Sequence, residues 1–247
     1  MAGHSHASNI MFRKGAQDRL RSKIFSKLAK EISVAVKVGG SCDPAANSRL
    51  RAAIVAAKKE SMPKENIERA VKKGMPGNDD STYEDVRYEG YGPGNVAVII
   101  EALTDNRNRT ASSVKTLFGK HGGALSDVAF GFSRVGVIAY PRAKIADDIM
   151  FEYAAGAGAD DVASRGDSHE IICDFKDLGA VRDVLEAKFG PAETFGIQWR
   201  ANQAVNIDDI ETARKLLDFI EALQDNDDVQ KVFANHNISS KVMEKLE

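Results

Sequence analysis

Residues 136–200 read GVIAYPRAKIADDIMFEYAAGAGADDVASRGDSHEIICDFKDLGAVRDVLEAKFGPAETFGIQWR. Strand-like runs at Gly136–Tyr140, Asp161–Arg165, Glu170–Phe175 and Thr194–Arg200 are separated by helical patterns at Ala143–Ala155 and Leu178–Phe189. The order β-α-β-β-α-β is the succession expected of a ferredoxin-like unit. Mixed elements continue on both sides. Tyr83–Gly90 and Asn95–Ala102 read as strands joined through Gly90-Tyr-Gly-Pro-Gly94, followed by a helix over Asn108–Lys120 and a strand over Val128–Phe132. After the unit come a strand at Ala204–Ile207, a helix at Asp209–Leu223 and a strand at Val229–Asn235. Residues 135–201 are therefore expected to form a domain inserted into another α+β domain made of 79–134 and 202–247.

Upstream the period changes to that of a helix. Leu20, Ile24, Leu28, Ile32 and Val36 recur every four residues, with Phe25 widening the stripe, which predicts a helix from about Ala16 to Lys37. Gly39-Gly40 closes it, and Asp43-Pro44 is expected to open a second helix whose Ala52, Ala53, Ile54, Ala56 and Ala57 suit close packing. A third helix is expected from near Ser61 and Pro63 to Gly74, ahead of a turn-rich linker at Met75–Thr82. The fold class is thus α+β and multidomain. A three-helix basic domain (1–78, with an arm at Met1–Phe12) precedes two α+β, ferredoxin-like domains, the third inserted in the second.

Charge is segregated along this plan. Residues 1–75 carry 16 Lys and Arg against 6 acids, a formal +10, while the remainder carries 18 against 30, a formal −12. The whole-chain value of −2 conceals the split. A cationic module of this kind faces a polyanion. Arg19, Lys23, Lys27 and Lys30 flank the apolar stripe of the first helix, about 100° round from it. Nucleic acid is the favoured partner, because neutralised phosphates release counterions. A solvated helix face or anionic lipid would use the same residues; the stripe's interruption by small residues and its lack of Trp weigh against lipid. No apolar run approaches the ~20 residues of a membrane span, and MAGHSHASNI lacks the features of a secretory signal. Cys42 and Cys173 lie far apart, which fits a reducing, cytoplasmic setting.

Asp105-Asn-Arg-Asn-Arg109 lies between an apolar strand and a helix start, where arginine forks and helix N–H groups suit phosphate. The same residues can instead form a turn and cap, with Arg107 paired to an acid. Tyr88 and Tyr91 could stack on bases or fill a core. The nucleic-acid-binding candidates are Arg13, Lys14, Arg19, Arg21, Lys23, Lys27, Lys30, Arg49, Arg51, Lys64, Arg69, Arg107 and Arg109. Enzyme signals are poor: Gly119-Lys-His-Gly-Gly123 lacks the P-loop spacing, and His121, His169 and His236 have no evident nucleophile partner. His4-x-His6 is a poor metal site, and acid pairs such as Asp227-Asp228 read as caps. No catalysis, cofactor or metal is expected.

An ordered set of segments resembles the YebC family, described as putative transcriptional regulators and as translational activators, and related to the mitochondrial translational activator of cytochrome c oxidase. The segments are MAGHS at the start, Asn9-Ile10 with Arg13-Lys14-x-Ala16-Gln17-Asp18, Lys23-x-Phe25-x-Lys27-Leu28 with Glu31-Ile32, and Asn47-x-Arg49-Leu50-Arg51. Met62-Pro63-Lys64-x-Asn66-Ile67-Glu68-Arg69-Ala70, Tyr88-Glu89-Gly90-Tyr91-Gly92-Pro93, Thr104-Asp105-Asn106-Arg107-Asn108-Arg109-Thr110 and Ala157-Gly158-Ala159-Asp160-Asp161-Val162 complete it. The chain departs at His6-Ala7, where the family carries an aromatic, and at Ser41-Cys42-Asp43 and Ser126-Asp127-Val128-Ala129. The resemblance implies a gene-expression factor. One version is a ribosome-associated translation factor on ribosomal RNA, with tRNA as a further partner, serving stall-prone sequences such as proline runs. The other is a DNA-binding transcriptional regulator. Translation is preferred, because the basic helices offer Lys and Ala rather than base-reading side chains.

Overall fold

The computed structural model describes residues 17–78 and 81–246, with side chains from residue 21 onward. The described chain forms two compact units. The first takes in the chain up to Lys27 together with Asp80–Ser133 and Arg200–Glu247; the second takes in Leu28–Asp79 and Arg134–Trp199.

Three helices come first: α1 (Gln17–Gly39), α2 (Ser48–Lys59) and α3 (Lys64–Gly74). In the second unit, Ile32, Val34, Ala35 and Val36 of α1 are buried, as are Leu50, Ala53 and Ala57 of α2 and Ile67 and Ala70 of α3. Ser33 Oγ donates to the carbonyl of Ala70 (2.8 Å). A Cβ on Gly74 would stand 2.2 Å from the Ser33 carbonyl oxygen, so α3 can end there only in glycine. The second helix opens at Ser48, not at Pro44. Asp43 Oδ1 is occupied in a local turn with the Ala45 N–H (2.9 Å), and the cap is Asn47, whose Oδ1 accepts from Leu50 N (3.0 Å). Asn47 is buried and also donates through Nδ2 to the Ala35 carbonyl (2.8 Å), tying α1 to α2.

In the first unit β1 (Glu84–Gly92) and β2 (Val96–Thr104) form an antiparallel hairpin, with Gly92 opposite Val96. Gly94 turns it at φ +70°, and a Cβ there would meet Ile207 and Thr212 at 2.9 Å. Next come α4 (Arg107–Lys120), β3 (Ala124–Leu125) and β4 (Phe132–Pro141). Val128–Phe132 is not a strand. The Glu89 carboxylate takes the N–H groups of Val128 (3.0 Å) and Ala129 (2.8 Å), so Ala129–Gly131 closes into a 3-10 turn. The second unit's sheet is built from β4, then β5 (Asp161–Arg165), β6 (Ser168–Asp174) and β7 (Thr194–Ala201), with α5 (Asp147–Gly156) and α6 (Leu178–Phe189) between them. Its order, β5-β6-β4-β7, is that of a ferredoxin-like unit. Ile138, Tyr140, Met150, Ala154, Ile171, Val181 and Leu185 form its core.

The tail supplies β8 (Val205–Ile207), α7 (Ile210–Gln224), β9 (Val229–Ala234), β10 (His236–Ile238) and α8 (Ser240–Met243). β9 joins the first unit's sheet, whose order is β3-β1-β2-β9; β8 and β10 pair in parallel. Because β2 is central and covered, its run Val96–Ile100 is wholly buried, while Phe118 of α4 packs edge-on against Phe219 of α7 (centroids 4.9 Å apart). The chain leaves for the inserted sheet and returns at one neck: Asn202 N donates to the Gly131 carbonyl (2.9 Å), and Ser133 Oγ to Asn202 Oδ1 (2.7 Å).

Candidate nucleic-acid interface

Arg13 and Lys14 lie outside the described residues, as does the His4-x-His6 pair, and Arg19 is placed only as a position in α1. Arg21 is exposed, its guanidinium carbon 5.4 Å from the centroid of the Phe25 ring. The next two turns carry cations with internal work. Lys23 Nζ is 2.7 Å from Asp225 Oδ1 and reaches the Asp225 carbonyl at 3.5 Å. Lys27 Nζ donates to the Gln224 carbonyl (2.5 Å). Both lysines therefore satisfy the free carbonyls and the negative dipole end where α7 stops. Arg49 grips Glu31 with two bonds (2.7 and 3.0 Å), and Arg51 donates to the carbonyls of Pro44 (3.1 Å) and Ala45 (3.2 Å). Lys30 is half-buried, Lys64 lies 3.5 Å from Glu68 with both exposed, and Arg69 is exposed. Lys23, Lys27, Arg49 and Arg51 thus each have a partner within the fold, while Arg21, Lys64 and Arg69 are exposed.

Asp105–Arg109 is ordered by a network that the spacing left open between cap and phosphate site. Asn106 Oδ1 caps α4 by accepting from Arg109 N (3.0 Å). Arg109 bridges Asp105 and Asp228, both at 2.8 Å, and its pKa is raised first by the Asp228 hydrogen bond and then by that of Asp105. Thr110 Oγ1, buried, lies 2.8 Å from Asp228 Oδ2 and 2.8 Å from Thr104 Oγ1. Asp228 is itself 8% exposed, and its carbonyl accepts from Leu103 N (2.8 Å). It is an internal anchor rather than the surface cap that an Asp-Asp pair suggested. A buried carboxylate needs such compensation, since an isolated one is strongly disfavoured. Arg107 differs: it is exposed and forms no ion pair among the described residues.

Tyr88 packs half-buried against the core and donates through its hydroxyl to the Arg107 carbonyl (3.4 Å), so the core reading holds for it. Burial raises the Glu89 pKa, but the Val128 and Ala129 N–H groups and Arg87 outweigh it and hold the carboxyl below its ordinary value. His169 has a neighbour that the sequence spacing did not reveal. Its Nδ1 lies 2.7 Å from Ser164 Oγ and its Nε2 2.8 Å from the Ile145 carbonyl. Nε2 must carry the proton to donate to a carbonyl, so Nδ1 accepts from the serine. The ring is fully buried, with both nitrogens taken up, which makes it a structural pin.

A family model of the TACO1/YebC second and third domain matches residues 83–236, and one of the TACO1/YebC N-terminal domain matches residues 5–77. The chain belongs to the TACO1/YebC family. The crystal structure of a conserved hypothetical protein from Aquifex aeolicus agrees with it: 43% identity, TM-score 0.82, 96% of this chain and 98% of that one covered. The family's N-terminal domain thus coincides with the cationic segment. No helix among the described residues is long and apolar enough to cross a membrane, and no group of three metal-ligating side chains occurs among them.

Within this TACO1/YebC chain the structure brings forward residues that sequence reasoning passed over. Phe130, 78% exposed, is held out on the turn that Glu89 fixes, between buried Val128 and Phe132. Burial at i−2 and i+2 is visible in the sequence, but alternation normally pairs with a strand, which hid it. Lys115 and Lys120 are exposed on α4. Their signal was available, since RNRTASSVKTLFGK contains no acid.

Proposed function

We propose that this protein is a nucleic-acid-binding gene-expression factor of the cytoplasm, acting in translation by docking on ribosomal RNA, with tRNA nearby. Its service to stall-prone stretches such as proline runs is part of the same reading. The observation that carries it is the coincidence of the family's N-terminal domain, residues 5–77, with the segment of formal +10 charge. Exposed cations on short helices contact phosphates without reading bases, and such binding weakens steeply with salt. The acidic remainder outside the acid-free helix α4, repelled by the same phosphates, faces proteins or solvent. No catalytic step belongs to this proposal.

A second reading shares the same observation, because a cationic domain meets the phosphates of DNA as readily as those of RNA. A DNA-binding regulator would bind one promoter fragment far more tightly than random duplex of equal length. Co-sedimentation with ribosomes decides for translation. The protein is expected in the ribosomal pellet at about 50 mM KCl and in the supernatant at about 300 mM, following counterion release. Free migration at every salt concentration, together with promoter-selective binding, would replace the translation reading with the transcriptional one.

A further inference from the structure

We infer that the exposed face of α4 is a second RNA-backbone binding surface, separate from the N-terminal helices; this rests on the nucleic-acid reading above. Residues 79–134 and 202–247 outside α4 carry 7 bases against 18 acids, yet the 14 residues of α4 carry Arg107, Arg109, Lys115 and Lys120 and no acid. Solvation alone does not call for such segregation, since mixed charges serve an ordinary helix surface better. Arg109 is spent on Asp105 and Asp228. Arg107, Lys115 and Lys120 are exposed and form no ion pairs among the described residues.

The shape of the face supports the same partner. At 100° per residue, Asn108, Ser112, Lys115 and Gly119 fall within an arc of roughly 60°, with Arg107 and Lys120 about 110° round from its middle on either side, at the two ends of the helix. All six are exposed. The middle of the face is small and polar around Lys115, so a phosphodiester backbone can approach it closely, while Arg107 and Lys120 extend the positive charge to the two ends of the helix. The opposite side of α4 is fixed by Thr110, Val114 and Phe118 in the core and by Ser113, whose hydroxyl accepts from Asn226 (2.8 Å). The cationic face is therefore presented by an anchored helix.

Fluorescence anisotropy with a labelled RNA hairpin tests this. The Arg107→Gln/Lys115→Gln/Lys120→Gln variant is expected to bind at least about tenfold more weakly at about 100 mM KCl, with a log–log salt slope shallower by roughly 2 to 3. Its thermal midpoint should match the parent's, and Lys115→Gln alone should flatten the slope by about 1, which keeps the test decisive if the triple variant folds poorly. Parental affinity and slope in the variants would overturn this surface while leaving the nucleic-acid reading intact. Failure of the parent itself to bind at about 50 mM KCl would instead sink that reading, and this inference with it. Tighter binding to duplex DNA of the same sequence, lost in the variant, would overturn RNA as the partner.

Discussion

Helices α1 and α4 both carry rows of cations, and the two rows have different fates. On α1, Lys23 and Lys27 reach the C-terminal carbonyls of α7, and Lys23 also pairs with Asp225. On α4, only Arg109 is held internally, while Arg107, Lys115 and Lys120 point outward. Charge density along a helix therefore does not identify a ligand surface. What matters is whether the cations meet an internal anion or helix end, and that depends on elements about 200 residues away in sequence, the separation of Lys23 from Asp225.

The comparison is broken most severely at its most buried point. Asp228→Ala removes the acceptor of Arg109 and Thr110 and is expected to cost about 3 kcal/mol. Urea unfolding measures it, and an unchanged midpoint would show that the network is incidental to α4. A smaller effect sharpens the role of α1. Lys23→Ala with Lys27→Ala uncaps α7 and should cost about 1 kcal/mol in the same assay, while RNA affinity falls less than in the α4 variant; no stability loss with a large affinity loss would restore the α1 stripe as the interface. The smallest effect lies at the other end of α7. Asp209 accepts from Thr212 N (2.8 Å), and this backbone hydrogen bond depresses its pKa. Its stabilisation is therefore complete above the unfolded carboxylate value, near 3.9, and is lost as pH falls through the lower folded value. Asp209→Ala should lower the unfolding midpoint at neutral pH, and the gap to the parent should close in strong acid. A gap that persists there would mean the cap acts without its charge.

Much of the fold was legible beforehand. The β-α-β-β-α-β order of the inserted sheet was written in alternating and helical periods, and the α1 stripe began within a residue of its observed start. Val128–Phe132 was misread because Glu89, some forty residues earlier, takes the N–H groups a strand would have offered. The start of α2 was misplaced because a first-turn proline and a buried asparagine are both acceptable openings, and only the Asn47 contact with the Ala35 carbonyl selects the second. In the candidate site, the placement of Arg107 at the start of α4 was legible in its motif. The internal roles of Lys23, Lys27, Arg49 and Arg51 were not, because their acceptors are mostly backbone carbonyls, which leave no mark in sequence.

The most direct measurement is lysine acetylation of the parent protein, read by mass spectrometry, with and without a saturating RNA hairpin. Lys115 and Lys120 are expected to be reactive in the free protein and protected by RNA, while Lys23 and Lys27 change little because α7 already holds them. Protection of Lys23 and Lys27 with Lys115 and Lys120 left reactive would contradict the contrast between the two helices.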